Sequence, residues 1–264
     1  MPLRTATYLG TAGWAFGSAL LLDPFLTRAS LWDVLARPLV PDEAAIRALA
    51  AAHGLHADHI LVSHPHYAHI MDVPALHRIT GARVHTTPQG VELLAALGTP
   101  AQALRPGAVL ELSGIRVAVY PSRHRLIAGR IPYTGRPDRT PPLRARDYRM
   151  DEQLSFLLAA EGRRVLVASG IDDEPHVPAD VLICGADTRP RVLHTLLEAV
   201  SPRLVLPTHW DDMFRGFDTP IRPMRLPRFP LRRIDVAGFV RRVEAFGARV
   251  VVPGWFETVD LGGV

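Results

Sequence analysis

The sequence contains no lysine: all 30 of its basic residues are arginine. Set against 26 acidic residues they leave a formal charge of +4, too small to mark a nucleic-acid binder. The arginine bias, with abundant alanine, proline and leucine, fits a GC-rich genome. A basic surface still attracts acidic small molecules such as phosphates and carboxylates. Cysteine is nearly missing. Cys184 stands alone, which excludes an intrachain disulfide and a thiolate metal cluster and agrees with a cytoplasmic setting. Long apolar runs are missing too. The uncharged stretch from Thr5 to Leu22 is broken by Gly10, Gly13 and Gly17. It therefore reads as two short strands joined by a turn rather than as a leader or a membrane span.

What is present is a foldable chain. Apolar residues make up 48% and charged residues 21% of 264, enough for a real core in one domain over 1–264. Short runs rich in Val, Ile and Leu recur at 18–22, 59–63, 82–86, 109–112, 115–120, 154–159, 164–168, 181–184, 204–207 and 250–252, the signature of strands. Segments 42–53, 73–79, 89–97, 190–200 and 236–246 place apolar residues at helical spacing. Two sheets with helices outside them follow, an α/β layered sandwich. Segments 126–148 and 215–233, dense in Arg and Pro, read as irregular loops.

The strongest chemical signal is Ser63-His64-Pro65-His66-Tyr67-Ala68-His69, directly after an apolar strand. In an extended turn His64 and His66 point to one side, and His69 can curl back to them. Neutral imidazole is the commonest zinc ligand, and a catalytic zinc needs three protein ligands and one open position. His124 and His209 each follow a later strand, and strand ends share the sheet edge where α/β proteins build their sites.

These motifs resemble the metallo-β-lactamase superfamily over nearly the whole chain. Its pattern is an early Gly-rich turn, here Leu9-Gly10-Thr11-Ala12-Gly13-Trp14, and a strand ending in Asp-Pro, here Asp23-Pro24. Next come His-x-His-x-Asp-His and, after later strands, a His, an Asp and a final His. The match is nearest the compact single-domain branch that includes phosphorylated-ascorbate lactonases. The resemblance implies a four-layer αββα sandwich with two metals between the sheets. His64, His66 and His124 would bind the first zinc, or a similar divalent ion; His69 and His209 would belong to the second.

Two positions depart from that pattern. Where the superfamily has the motif's Asp, a second-metal ligand that helps hold the attacking water, this chain has Ala68. The later carboxylate is offset: strict spacing points to Ile171, a one-residue shift to Asp172. Asp72 reads as a helix cap. Ala68 suits an Asp→Ala change that silences an enzyme, or a member working with a single metal, or a non-catalytic binder.

The chemistry implied is hydrolysis of an ester, lactone, amide or phosphodiester by a metal-activated water, with His209 or the metal stabilising the developing charge. The fold does not choose the substrate. Trp14, Tyr67, Tyr133 and Trp210 fall on segments that the resemblance puts near the metals. Arg123, Arg125 and Arg130 flank His124 or follow it and could hold an acidic small molecule. No nucleic-acid arm is visible. A lipid phosphodiester is the second substrate reading, because Leu31-Trp32-Asp33-Val34-Leu35-Ala36 is amphipathic enough to touch a membrane.

Overall fold

A computed structural model describes residues 3–124, 126, 130–138, 140–168, 170, 175–226 and 232–262. The first sheet is built from β1 (Thr5–Gly10), β2 (Gly13–Phe16), β3 (Leu20–Leu22), β4 (His59–Leu61), β5 (Arg83–Thr86) and β6 (Ala101–Ala103). The second takes β7 (Val109–Leu112), β8 (Ile115–Ser122), β9 (Gln153–Ala160), β10 (Arg163–Ala168), β11 (Val181–Gly185) and β12 (Leu204–Thr208). A small hairpin, β13 (Arg225–Leu226) with β14 (Arg232–Arg233), stands apart; β15 (Arg249–Val250) and β16 (Thr258–Asp260) complete the two sheets. Their orders are β16-β1-β2-β3-β4-β5-β6 and β15-β12-β11-β10-β9-β8-β7.

The helices are α1 (Leu31–Ala36), α2 (Glu43–His53), α3 (Tyr67–Ile70), α4 (Val73–Thr80), α5 (Pro88–Ala96), α6 (Pro190–Val200) and α7 (Val236–Phe246). Buried Ile46, Leu76 and Leu93 of α2, α4 and α5 pack with Leu9, Leu21 and Ile60 of the first sheet. Leu193, Leu197 and Phe239 of α6 and α7 join the cluster of the second sheet, which also takes in Phe16, Leu22 and Leu61 from the first. The order helix, sheet, sheet, helix is the expected αββα sandwich. Alternation along each strand explains it: in β3, Leu21 faces the helices while Leu20 and Leu22 face the opposite sheet.

Several details correct the sequence reading. Thr5 to Leu22 holds three strands rather than two, because Gly10 at φ 88° and Gly17 at φ 54° each turn the chain. The irregular segment 215–233 contains the β13–β14 hairpin, and the last expected strand is Arg249–Val250 instead of 250–252. Asp72 stands at the N-cap of α4, but its side chain makes no cap bond. It accepts instead from Leu26 N at 2.6 Å, Thr27 N at 2.7 Å and Thr27 Oγ1 at 2.5 Å, tying down the loop after Asp23-Pro24. Among the described residues no helix is long and apolar enough to cross a membrane.

One ion pair fastens the segment after β3 of the first sheet to the segment after β12 of the second. Arg28 Nη2 donates to Asp211 Oδ2 at 2.5 Å, and both side chains are fully buried. Asp211 also accepts from Tyr8 Oη at 2.6 Å, Thr11 N at 2.7 Å and Trp255 Nε1 at 2.8 Å. With four donors on one carboxylate, the buried charge is compensated by hydrogen bonds as well as by its partner.

Away from these contacts, His59 Nδ1 and His85 Nε2 lie 3.0 Å apart where β4 and β5 adjoin. Burial holds both imidazoles below their ordinary 6.5, His85 at about 4, with Arg83 and the neighbouring ring adding for His85 and Arg83 for His59. The unfolded chain therefore takes up these protons first as pH falls. Urea unfolding of metal-free protein should show stability level above about pH 7.5 and declining from about 6.5 toward 4. The slope should be shallower in His85→Gln. Identical slopes in the two proteins between pH 6.5 and 4 would contradict the assignment.

Candidate metal centre

The centre is assembled at one edge of the sandwich. β4 ends at Leu61, and Val62 and Ser63 carry the chain to His64. β8, β10, β11 and β12 run the same way, since β10 to β12 are parallel and β9 is antiparallel to both β8 and β10. His124, Gly170, Asp187 and His209 follow the C-terminal ends of these four strands, and all four line one cavity. Its volume is about 430 Å³, and it also takes in His64, His66, Ala68 and His69.

The first three histidines converge. His64 Nε2 lies 3.1 Å from His66 Nδ1, which lies 3.2 Å from His124 Nε2. Among the described residues this is the one group of three potential ligands whose atoms all fall within 4.8 Å of one another. His69 and His209 complete no such group, although their rings are 5.5 Å apart and His69 is 4.0 Å from the ring of His64.

The tautomers follow from the bonds behind the rings. Ser63 Oγ donates its single proton to Asp23 Oδ2 at 2.6 Å, so at 2.9 Å it must accept from His64 Nδ1–H. That leaves His64 Nε2 as a bare lone pair. His66 donates Nε2–H to Pro132 O at 3.0 Å, which bares its Nδ1. His69 donates Nδ1–H to Asp23 Oδ2 at 3.0 Å, so in the neutral ring its Nε2 carries the lone pair. Two acceptors, His64 Nε2 and His66 Nδ1, therefore face each other at 3.1 Å with no proton between them. A cation bound to both nitrogens would relieve that repulsion, and the donor set suits one. Burial first, and the neighbouring imidazoles second, hold His64 and His66 well below 6.5, which keeps them neutral and able to ligate.

Asp23 is held in place by its own backbone. It adopts φ 44°, unusual for a non-glycine, while Asp23 N donates to Leu61 O at 2.9 Å and Ser63 N donates to Asp23 Oδ1 at 2.7 Å. His209 is likewise held at φ 53°, with its N–H on Thr11 O at 2.6 Å. Thr11 is in turn fixed by Asp211, so the buried ion pair steadies the last histidine.

The other expected residues divide. Tyr67 and Tyr133 line the cavity; Tyr133 meets the His66 ring edge-on at 6.1 Å, and burial raises the Tyr67 phenol. Ala68, in α3, presents its methyl there. Trp14 and Trp210 do not line it. Trp14 belongs to β2, fully buried against Tyr8 with its Nε1–H on Thr208 Oγ1 at 3.4 Å, and Trp210 is packed in the same core. Their expected substrate contact is corrected: an indole at a strand end here fills the interior. Arg123 and Arg130 are not in the lining, and Arg125 and Asp172 lie outside the described residues. Reasoning from sequence missed Asp187, which lines the cavity half-buried just after β11. The strand-end rule that selected His124 and His209 would have found it. It also gave Asp23 no role.

The comparisons bear on the fold. No family model matches the chain. A UPF0173 metal-dependent hydrolase of Symbiobacterium thermophilum is 26% identical over 92% of both chains. Among solved structures, the metallo hydrolase Igni18 of Ignicoccus hospitalis superposes with a TM-score of 0.63 at 18% identity, covering 97% of each chain. The metallo-β-lactamase fold protein YhfI of Bacillus subtilis gives 0.56 at 14%, covering 97% of this chain and 98% of its own.

Asp23→Asn should weaken divalent-metal binding roughly 10- to 100-fold, as loss of such orienting carboxylates does. Competition against a chromogenic chelator measures it, and Ser63→Ala, which frees only His64, should have the smaller effect. Unchanged affinity in both variants would remove Asp23 from the account.

Proposed function

We propose that this chain, which has the metallo-β-lactamase fold, is a metal-dependent hydrolase that binds one zinc through His64, His66 and His124. The observation that carries the reading is the facing pair of bare nitrogens on His64 and His66, 3.1 Å apart. Imidazole donors in neutral form suit zinc, and a three-histidine set leaves a position open. A zinc ion bound there would supply Lewis acidity, acidifying a water molecule and polarising the ester, lactone, amide or phosphodiester to be cleaved.

The chain's own residues do the rest. Ser63 and Asp23 hold His64, and Pro132 O holds His66, so these two rings are already oriented for a metal. Asp187 is the one carboxylate among the described residues that line the cavity, and we assign it the role of accepting the proton of the attacking water. To His209, whose ring is near His69 and whose backbone is fixed on Thr11, we assign donation toward the oxygen that gains charge. Tyr67 and Tyr133 close the sides and limit bulk water.

Ala68 decides the metal count. A methyl group where the superfamily has a carboxylate adds no charged ligand to His69 and His209, and losing a charged ligand weakens cation binding. Either an Asp→Ala change has silenced a two-metal enzyme or the chain works with a single ion. Metal content and hydrolysis of ester and phosphodiester probes, read before and after chelator treatment, test the hydrolase reading. Hydrolysis should vanish with the metal and return with zinc. Ala68→Asp should raise zinc from about one to about two ions per chain and increase turnover at least tenfold. No gain in either would tie alanine to the native mechanism, and chelator-insensitive hydrolysis would sink the reading.

A further inference from the structure

Helix α1 is out of keeping with the other helices. It buries none of its residues, and Leu31, Trp32 and Leu35 are 51%, 65% and 71% exposed. Val40, shortly after it, is 69% exposed. Single exposed apolar residues are ordinary, but a contiguous apolar strip marks a binding surface. This strip does not lie at random. Leu31, Val34 and Leu35 form part of the wall of the same cavity that holds the five histidines.

The same lining takes in Met213, Phe214 and Met224, with Pro132 and Tyr133. No arginine is among the lining, and Asp187 is its only carboxylate among the described residues. The lining thus joins imidazoles that follow strand ends to aliphatic, thioether and aromatic groups, those of α1 among them. Methionines and a short exposed helix make a wall that adjusts to a flexible chain. The last turn of α1 carries no basic residue, and the arginine at its C-cap, Arg37, is paired with Asp33 at 3.3 Å, so α1 offers little to an anionic membrane.

We propose that the substrate carries a hydrocarbon chain of several carbons on the group to be cleaved, laid between α1 and the Met213–Phe214 segment. The occupant is a dispersed small molecule, an acyl ester or amide, rather than a lipid surface. This rests on the hydrolase reading for the bond broken: one water is consumed, the acyl carbon–heteroatom bond breaks, and a carboxylate and an alcohol or amine leave. The apolar channel itself is independent of metal.

Two arms separate the claims. Calorimetric titration of metal-free protein with octanamide and acetamide, both uncharged, reads the channel alone. A buried methylene contributes roughly fourfold in affinity, so with part of the chain covered octanamide should bind about a hundredfold more tightly. Leu35→Asp, at an exposed position that the fold does not need, should remove at least tenfold of that preference; Leu35→Ala should remove less. In the second arm zinc-loaded protein hydrolyses p-nitrophenyl octanoate and acetate, and kcat/KM should favour octanoate. Octanamide preference without hydrolysis of either ester, by the zinc-loaded protein or by its Ala68→Asp variant, supports the channel and overturns the hydrolase reading instead. Equal binding of the two amides overturns the channel whatever the hydrolysis shows. Binding to phosphatidylcholine vesicles without an octanamide preference also overturns it and assigns α1 to a lipid surface.

Discussion

The Asp23 carboxylate is the constraint on which the centre depends. It accepts from the serine that orients His64 and from His69 directly, so one side chain fixes the tautomers of two rings. A left-handed backbone at φ 44° aims it there, against ordinary preference. The strain is tolerated because Leu61, Ser63 and the Asp72-bound loop hold the residue on several sides. Given Asp23, bare nitrogens of His64 and His69 must face the cavity. Without it, either ring could turn a protonated nitrogen inward.

A second buried carboxylate serves the other half of the site. Asp211 joins Arg28, Tyr8, Thr11 and Trp255, and Thr11 passes that rigidity to the backbone of His209. Burial of the Arg28–Asp211 pair is costly and is offset only by the complete set of donors. The two carboxylates thus hold histidines from different sheets over one edge. Function and packing are coupled through the same few groups.

Much of this was legible in the sequence. The histidine cluster, the later strand-end histidines and most strand and helix positions follow from periodicity and spacing, because apolar alternation survives in sequence wherever one face is buried. The layered fold follows from those elements in order. What was not legible is long-range. Asp72 resembles a helix cap locally, yet its bonds go to Leu26 and Thr27, which proximity to α4 in sequence does not reveal. Trp14 resembles a loop aromatic until β2 pairs with β3 and buries it. Asp187 escaped notice because a lone aspartate after a strand carries less chemical signal than a lone histidine.

The absence of a carboxylate at Ala68 gives the account its sharpest edge, since it separates a site for one ion from a site for two. The central claim is that His64, His66 and His124 form a preset cation site. X-ray absorption at the zinc edge, on protein given one equivalent of zinc, tests it most directly. The account predicts a first shell dominated by three imidazole nitrogens at about 2.0–2.1 Å. A shell of oxygen ligands with one imidazole or none would contradict it.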